Sequence, residues 1–135
     1  MAPSEGATRH QARERALLIL YEAEMKSLPP SSVLEELAVT PDVFAVALVR
    51  STEEHQDEAD ALIAAAAVGW PIDRLAVLDR LVLRLAVAEL LDPDGPPMPV
   101  VIDEAVELAK SYSTEASGGF VNGVLSTVAT RIAER

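Results

Sequence analysis

The chain has 135 residues, half of them apolar and 4% aromatic, with no cysteine and a formal net charge of −11. That length suits one ordinary domain, able to bury roughly two-thirds of its unfolded surface, and the missing cysteine excludes disulfides, thiolate zinc sites and cysteine nucleophiles. No apolar run approaches the ~20 residues that span a bilayer, and the opening MAPSEGATRHQARER lacks the apolar core of a signal peptide, so the expectation is a soluble cytoplasmic protein with no membrane partner.

Residues 1–7 read as a flexible tail and 8–135 as a single domain. Thr8 and Gln11 fit a capping box that opens a first helix. Ala12, Ala16, Ile19, Leu20 and Ala23 give it an apolar stripe at helical spacing, and it runs to about Lys26 before Pro29 and Pro30 stop it. Its first turns hold three arginines, His10 and one glutamate between Arg9 and Arg15. Cations at a helix N-terminus oppose the macrodipole at about 0.3–1 kcal/mol each, so a sequence shaped for stability alone would prefer acids there. Arg9 and Arg13 are four apart and share a face, and Tyr21, two to three turns on, has a ring for base stacking. The two readings are ordinary surface charge and a small RNA-binding patch. Three or four phosphate contacts on single-stranded RNA give a salt slope of only about −2 to −3, so an acidic chain would need a partner to hold RNA firmly.

Ser32 with Glu35 opens a short second helix. Thr40, with Pro41 behind it, caps a third that continues through Val43, Val46, Ala47 and Val49. The polar stretch STEEHQDEAD interrupts, and apolar spacing resumes at Ala59, Leu62, Ile63 and Ala66, as two helices or one bent one. Gly69 ends this part, with Trp70 folding back and Pro71 preventing continuation. Between Pro29 and Trp70 eight acids face one base, Arg50, a surface suited to a basic protein partner.

IDRLAVLDRLVLRLAVAELL is apolar on most of its circumference, which predicts a central, buried helix. After the loop DPDGPPMP, Ile102, Ala105, Val106 and Ala109 mark one face of the next helix, with an acidic first turn and Lys110 in the last. In the final segment Asn122 and Gly123 signal a hairpin, but Phe120, Val121, Val124, Leu125, Val128 and Ile132 repeat at three and four, which predicts a helix with Gly123 permitting a close helix contact. The fold class is therefore all-α, with six or seven helices and no strand.

Little in the chain suggests catalysis. His10 and His55 are far apart. EEHQDEAD holds metal-ligand types at a spacing better suited to a solvated helix face. Asp92, Asp94 and Asp103 fall at calcium-loop positions, but Pro97 stands where glycine is needed. No P-loop, GxGxxG or GxSxG is present. Gly118 and Gly119 suit a flexible cap or a phosphate approach. Asp103, Glu107 and Lys110 suit surface ion pairs. The expectation is a protein without enzyme activity, metal or cofactor.

Three stretches in register resemble the NusB family of bacterial transcription antitermination factors: ARERALLILYEAE, GWPIDRLAVLDRLVLRLAVAELL and, most specifically, VVIDEAVELAKSYSTEASGGFVNGVL. Together they cover about residues 9–130. The resemblance implies two small helical bundles packed together, no catalysis, and binding of boxA-type ribosomal RNA leader transcripts. It implies doing so with a small-subunit ribosomal protein (NusE) as partner, and acting on RNA polymerase indirectly with other Nus factors. It places Arg9, His10, Arg13, Tyr21 and Phe120 on the RNA face, and gives Asn122 and Lys110 structural roles and Arg84 a buried acid such as Glu104 or Glu89. Two departures stand out. The family often has arginine where His10 stands, and charged residues where Ala116 and Gly119 precede Phe120. Some family members self-associate over this face, which leaves a homodimer open. The rival readings are a protein-only helical adaptor and the NusB-like part of a ribosomal RNA cytosine methyltransferase; the latter needs a catalytic domain and a cysteine nucleophile that this chain lacks.

Overall fold

The computed structural model describes residues 5–135, with side chains from Thr8 onward. Among the described residues it has seven α-helices, one 3-10 turn and no strand, as the apolar periodicity predicts. The chain forms two compact units that divide between Glu54 and His55.

In the first unit α1 (Glu5–Lys26), α2 (Pro30–Glu36) and α3 (Val43–Glu54) each pack on the other two. The expected α1 stripe is buried, and Leu17 joins it. The helix already runs at Glu5, so Thr8 lies inside it rather than at its cap; residues 1–4 of the expected tail lie outside the described residues. At the far end Ser27 turns the chain with φ 54°, and the Leu28 amide donates to the Ala23 carbonyl at 2.9 Å. This closes the helix before the prolines are reached.

The caps of α2 and α3 differ from those expected. Pro30 starts α2, and Ser32 lies within it and makes no cap bond. Instead Glu53, at the end of α3, accepts from the Ser31 amide at 3.2 Å and from its hydroxyl at 3.1 Å. A carboxylate from another helix thus serves donors that a helix start leaves unpaired. Asp42, not Thr40, caps α3: its carbonyl accepts from the Val46 amide at 3.0 Å and its Oδ1 from the Phe44 amide at 2.8 Å. That is the geometry of an N-cap aspartate.

The second unit holds α4 (Gln56–Ala66), a 3-10 turn (Ile72–Arg74), α5 (Val77–Leu91), α6 (Met98–Tyr112) and α7 (Glu115–Ala133). STEEHQDEAD resolves into two helices with only His55 between them. After α4 the chain turns as expected: Gly69 has φ +83°, and the Trp70 amide donates to the Ala67 carbonyl at 3.0 Å. α5 packs on α4, α6 and α7 and buries eight of its 15 residues, which makes it the central helix that its composition predicts. It starts later than the apolar pattern does. Residues 72–74 close a 3-10 turn, and Leu75 and Ala76 are extended before the helix begins.

The start of α6 is earlier than expected. Pro97 caps it and Pro99 sits in its first turn, where the missing N–H costs nothing. Asp103 and Glu104 therefore fall beyond that turn, which holds no acid. Its buried face is Val101, Ala105, Leu108 and Ala109, rotated slightly from the expected set. In α7 the three-and-four spacing prevails over the hairpin signal. Thr114 and Ser117 form a capping box, with the Ser117 amide donating to Thr114 Oγ1 and the Thr114 amide to Ser117 Oγ, both at 3.2 Å.

Gly123 is not at a close helix contact. It is exposed, and a Cβ built there meets nothing within 4 Å. Gly118 is the close approach: a Cβ there would lie 2.9 Å from Cε and 3.0 Å from Cγ of Lys110. Gly123→Ala should therefore stabilise the protein by about 0.5–1 kcal/mol through helix propensity and a restricted unfolded chain. A thermal melt should show this as a rise of about 1–4 °C; a fall in midpoint would mean that the position is crowded after all.

Arg84 is partnered by neither Glu104 nor Glu89 in the way expected. Its Nε donates to Asp60 Oδ1 at 2.7 Å and its Nη2 to Oδ2 at 2.9 Å, a two-pronged ion pair that joins α4 to α5. Among the described residues no helix is long and apolar enough to cross a membrane.

Candidate functional site

The basic opening of α1 is narrower at the surface than its sequence implies. Arg13 is 5% exposed, so the residue that spacing pairs with Arg9 is buried in the structure. Helical spacing gives the direction of a side chain, and packing decides its depth. Arg9 and His10 are half-buried and Arg15 is exposed. His10 Nε2 lies 3.5 Å from Glu14 Oε1, so a carboxylate offsets whatever charge the imidazole carries. At 100° per residue, His10, Glu14 and Tyr21 fall within about 40° around α1, with Tyr21 about 16 Å further along the axis. Tyr21 is 38% exposed, between exposed Leu18 and Met25.

Arg9 has a partner that the sequence does not announce. Its guanidinium lies over the ring of Phe44, 5.1 Å from the centroid. A planar cation on an aromatic face is attracted by the ring quadrupole, by about 0.5–1 kcal/mol at an exposed site. Phe44 in turn is held by the Asp42 cap through its amide. The contact is made between α1 and α3, 35 positions apart, and no local pattern could have found it.

Phe120 belongs to the second unit. It is half-buried in the second turn of α7 and meets the Trp70 ring edge-on, with centroids 6.0 Å apart and planes at 66°. Ala116 and Gly119 are both exposed on α7 and bring no charge to this turn. Lys110 lays its stem against Gly118, in keeping with a structural role, while Asn122 is exposed.

The acidic middle is partly spent inside the fold. Glu53 serves Ser31, Asp42 caps α3, Asp60 holds Arg84, and Glu58 accepts from Arg135 at 2.9 Å. Glu35, Glu36 and Glu54 of the first unit are exposed, as is Asp57 of the second. Among the described residues no three histidine, aspartate or glutamate side chains gather as a metal site. In the would-be calcium loop, Asp92 Oδ1 accepts from the Asp94 amide at 2.9 Å, which commits it to the turn.

A model of the NusB family matches residues 10–130. The chain belongs to the NusB family. NusB of T. maritima, in a P3121 crystal form, is 38% identical with a TM-score of 0.82, over 96% of this chain and 93% of that one. NusB from Aquifex aeolicus, solved in solution, is 33% identical with a TM-score of 0.76, over 94% of this chain and 92% of that one. A chain from a structure of the antitermination factors NusB and NusE in complex with dsRNA is 34% identical with a TM-score of 0.76, over 91% of this chain and 96% of that one. Family membership and the all-helical fold thus agree with what the three sequence blocks imply.

Proposed function

We propose that this chain is a cytoplasmic, non-catalytic, RNA-binding antitermination factor. It binds boxA-type single-stranded RNA of ribosomal RNA leader transcripts together with a NusE-type ribosomal protein, and through other Nus factors it acts on RNA polymerase. Membership of the NusB family and the likeness to a chain in a structure of NusB and NusE with dsRNA support an RNA-binding reading. The observation that carries it in this chain is Arg9, held over Phe44 at the start of α1. A guanidinium fixed on a ring loses less freedom when it meets a phosphate.

Arg9, His10 and Tyr21 of the first unit and Phe120 of the second are the proposed contact residues; Arg13 is buried and is not among them. With fewer surface cations than the sequence offers, the salt slope for RNA alone should be about −1 to −2. Weak intrinsic binding of this kind gives the ribosomal protein a purpose, and the acids left exposed on α2 and α3 suit a basic partner.

The test is titration of labelled boxA-like RNA and a scrambled control, at two salt concentrations, with and without the NusE-type protein. The boxA sequence should bind more tightly and the partner should strengthen it. Arg9→Glu should weaken RNA binding about five- to twentyfold and flatten the salt slope by about 0.7. Phe44→Leu, which keeps every charge, should weaken it about threefold. If RNA is ignored while the ribosomal protein still binds, the adaptor reading replaces this one. If neither binds, sedimentation at rising concentration tests for a homodimer over the face.

A further inference from the structure

Trp70 is the chain's only tryptophan, and it is 60% exposed. Tryptophan offers more apolar area to a core than any other side chain, so leaving it in water forgoes stabilisation that the fold had within reach. Its placement is fixed, not frayed. Gly69, at φ +83°, turns the chain sharply before it, in a conformation that L side chains rarely adopt. The Trp70 amide is bonded back to Ala67, and the Arg74 amide donates to the Pro71 carbonyl at 2.9 Å. The ring then stands edge-to-face with Phe120. In such a pair one ring's edge meets the other's face, so three of the four faces stay uncovered by the pair itself. Phe120 is half-buried and Trp70 is mostly exposed, which leaves most of the open ring surface on Trp70.

The surroundings favour a nucleobase over an apolar peptide. Gly119, next to Phe120, is exposed with nothing within 4 Å of a built Cβ, so a sugar-phosphate backbone can come close to α7. An open ring platform beside a bare stretch of backbone suits an unpaired base, which single-stranded RNA sites stack on aromatic side chains.

We propose that Trp70 and Phe120 form a two-ring platform on the second unit on which one unpaired base of the RNA stacks, with Trp70 supplying the main face. This rests on the RNA-binding reading above, and it adds a contact that the family's basic opening and phenylalanine do not include.

The test uses the full chain, a labelled boxA-like single strand, and the NusE-type protein with any tryptophan replaced by phenylalanine. Anisotropy of the label reports binding, and emission from Trp70 reports this one position. Stacking should quench Trp70 with the same midpoint as the anisotropy. Trp70→Ala should weaken binding about tenfold, within the range for loss of one stacked base, and Trp70→Phe distinctly less. Far-UV melts of Trp70→Ala should stay close to the parent, because the ring is outside the core. Abasic substitutions along the RNA should reveal one position that abolishes the quench and costs nothing further in Trp70→Ala.

RNA bound with unchanged Trp70 emission and parental affinity in Trp70→Ala would overturn the platform and leave the RNA reading standing. A response of Trp70 to the ribosomal protein alone would make this face a protein contact. Absence of RNA binding in every condition would overturn both.

Discussion

Leu17→Ala should destabilise the first unit by about 3 kcal/mol, while Leu18→Ala, one position on, should cost less than about 1 kcal/mol. Leu17 is fully buried and Leu18 is 42% exposed, although the two are adjacent in the same helix. The difference is geometric. A step of 100° around α1 carries a side chain from the packed face to water. Removing Leu17 loses the transfer free energy of its buried atoms and leaves a hole, because the side chains packed around it relax only partly. Removing Leu18 exposes little that was hidden. Urea denaturation of both variants, compared at constant slope, reads the effect directly. Equal losses would mean that α1 packs by a different face from the one described.

Arg84→Ala should cost about 2–4 kcal/mol. Truncating one partner of a buried pair usually costs about 3–5 kcal/mol, and the side chains here are 13% and 25% exposed, so water softens the penalty. Most of the loss comes from Asp60, left half-buried with its charge uncompensated. The double variant Asp60→Asn with Arg84→Met should lose less than the two single changes added together. Arg84→Lys should recover only part, since one ammonium cannot make two parallel bonds to a carboxylate. A loss below about 1 kcal/mol for Arg84→Ala would place the pair with ordinary surface bridges. Both measurements follow folding alone, so they stand whatever the chain binds.

The helices were legible where apolar periodicity is long. α5 and α7 announced themselves, and the spacing in α7 correctly outweighed Asn122 and Gly123 because hairpin arms of that length could not stand alone. Boundaries were less legible. Thr40 and Asp42 are both good caps, and only the backbone path chose Asp42. Pro99 reads as part of the loop before α6, yet it sits in the first turn of that helix. Pairings across the chain were least legible. Asp60 lies in a run of acids with nothing local to mark it as the partner of Arg84, and Phe44 meets Arg9 only because α1 and α3 pack. The basic opening was visible as composition, but burial of Arg13 depends on tertiary depth, which spacing alone does not carry. The sequence marks Trp70 as a residue that folds back, while its exposure and its contact with Phe120 depend on where α7 is placed.

The link between α6 and α7 is two residues, 113 and 114, against six between α5 and α6. Loop closure costs less chain entropy the shorter a competent loop is, and the Thr114–Ser117 capping box already favours a helix start at that corner. Contacts between α6 and α7 are also among the most local in the second unit. Local contacts close on shorter time scales than those that must bring distant segments together. The hairpin of α6 and α7 is thus the natural first piece of that unit to form as the chain collapses, with α5 joining next. Phe120 and the capped turn before it are then in place before the Trp70 turn arrives to meet them.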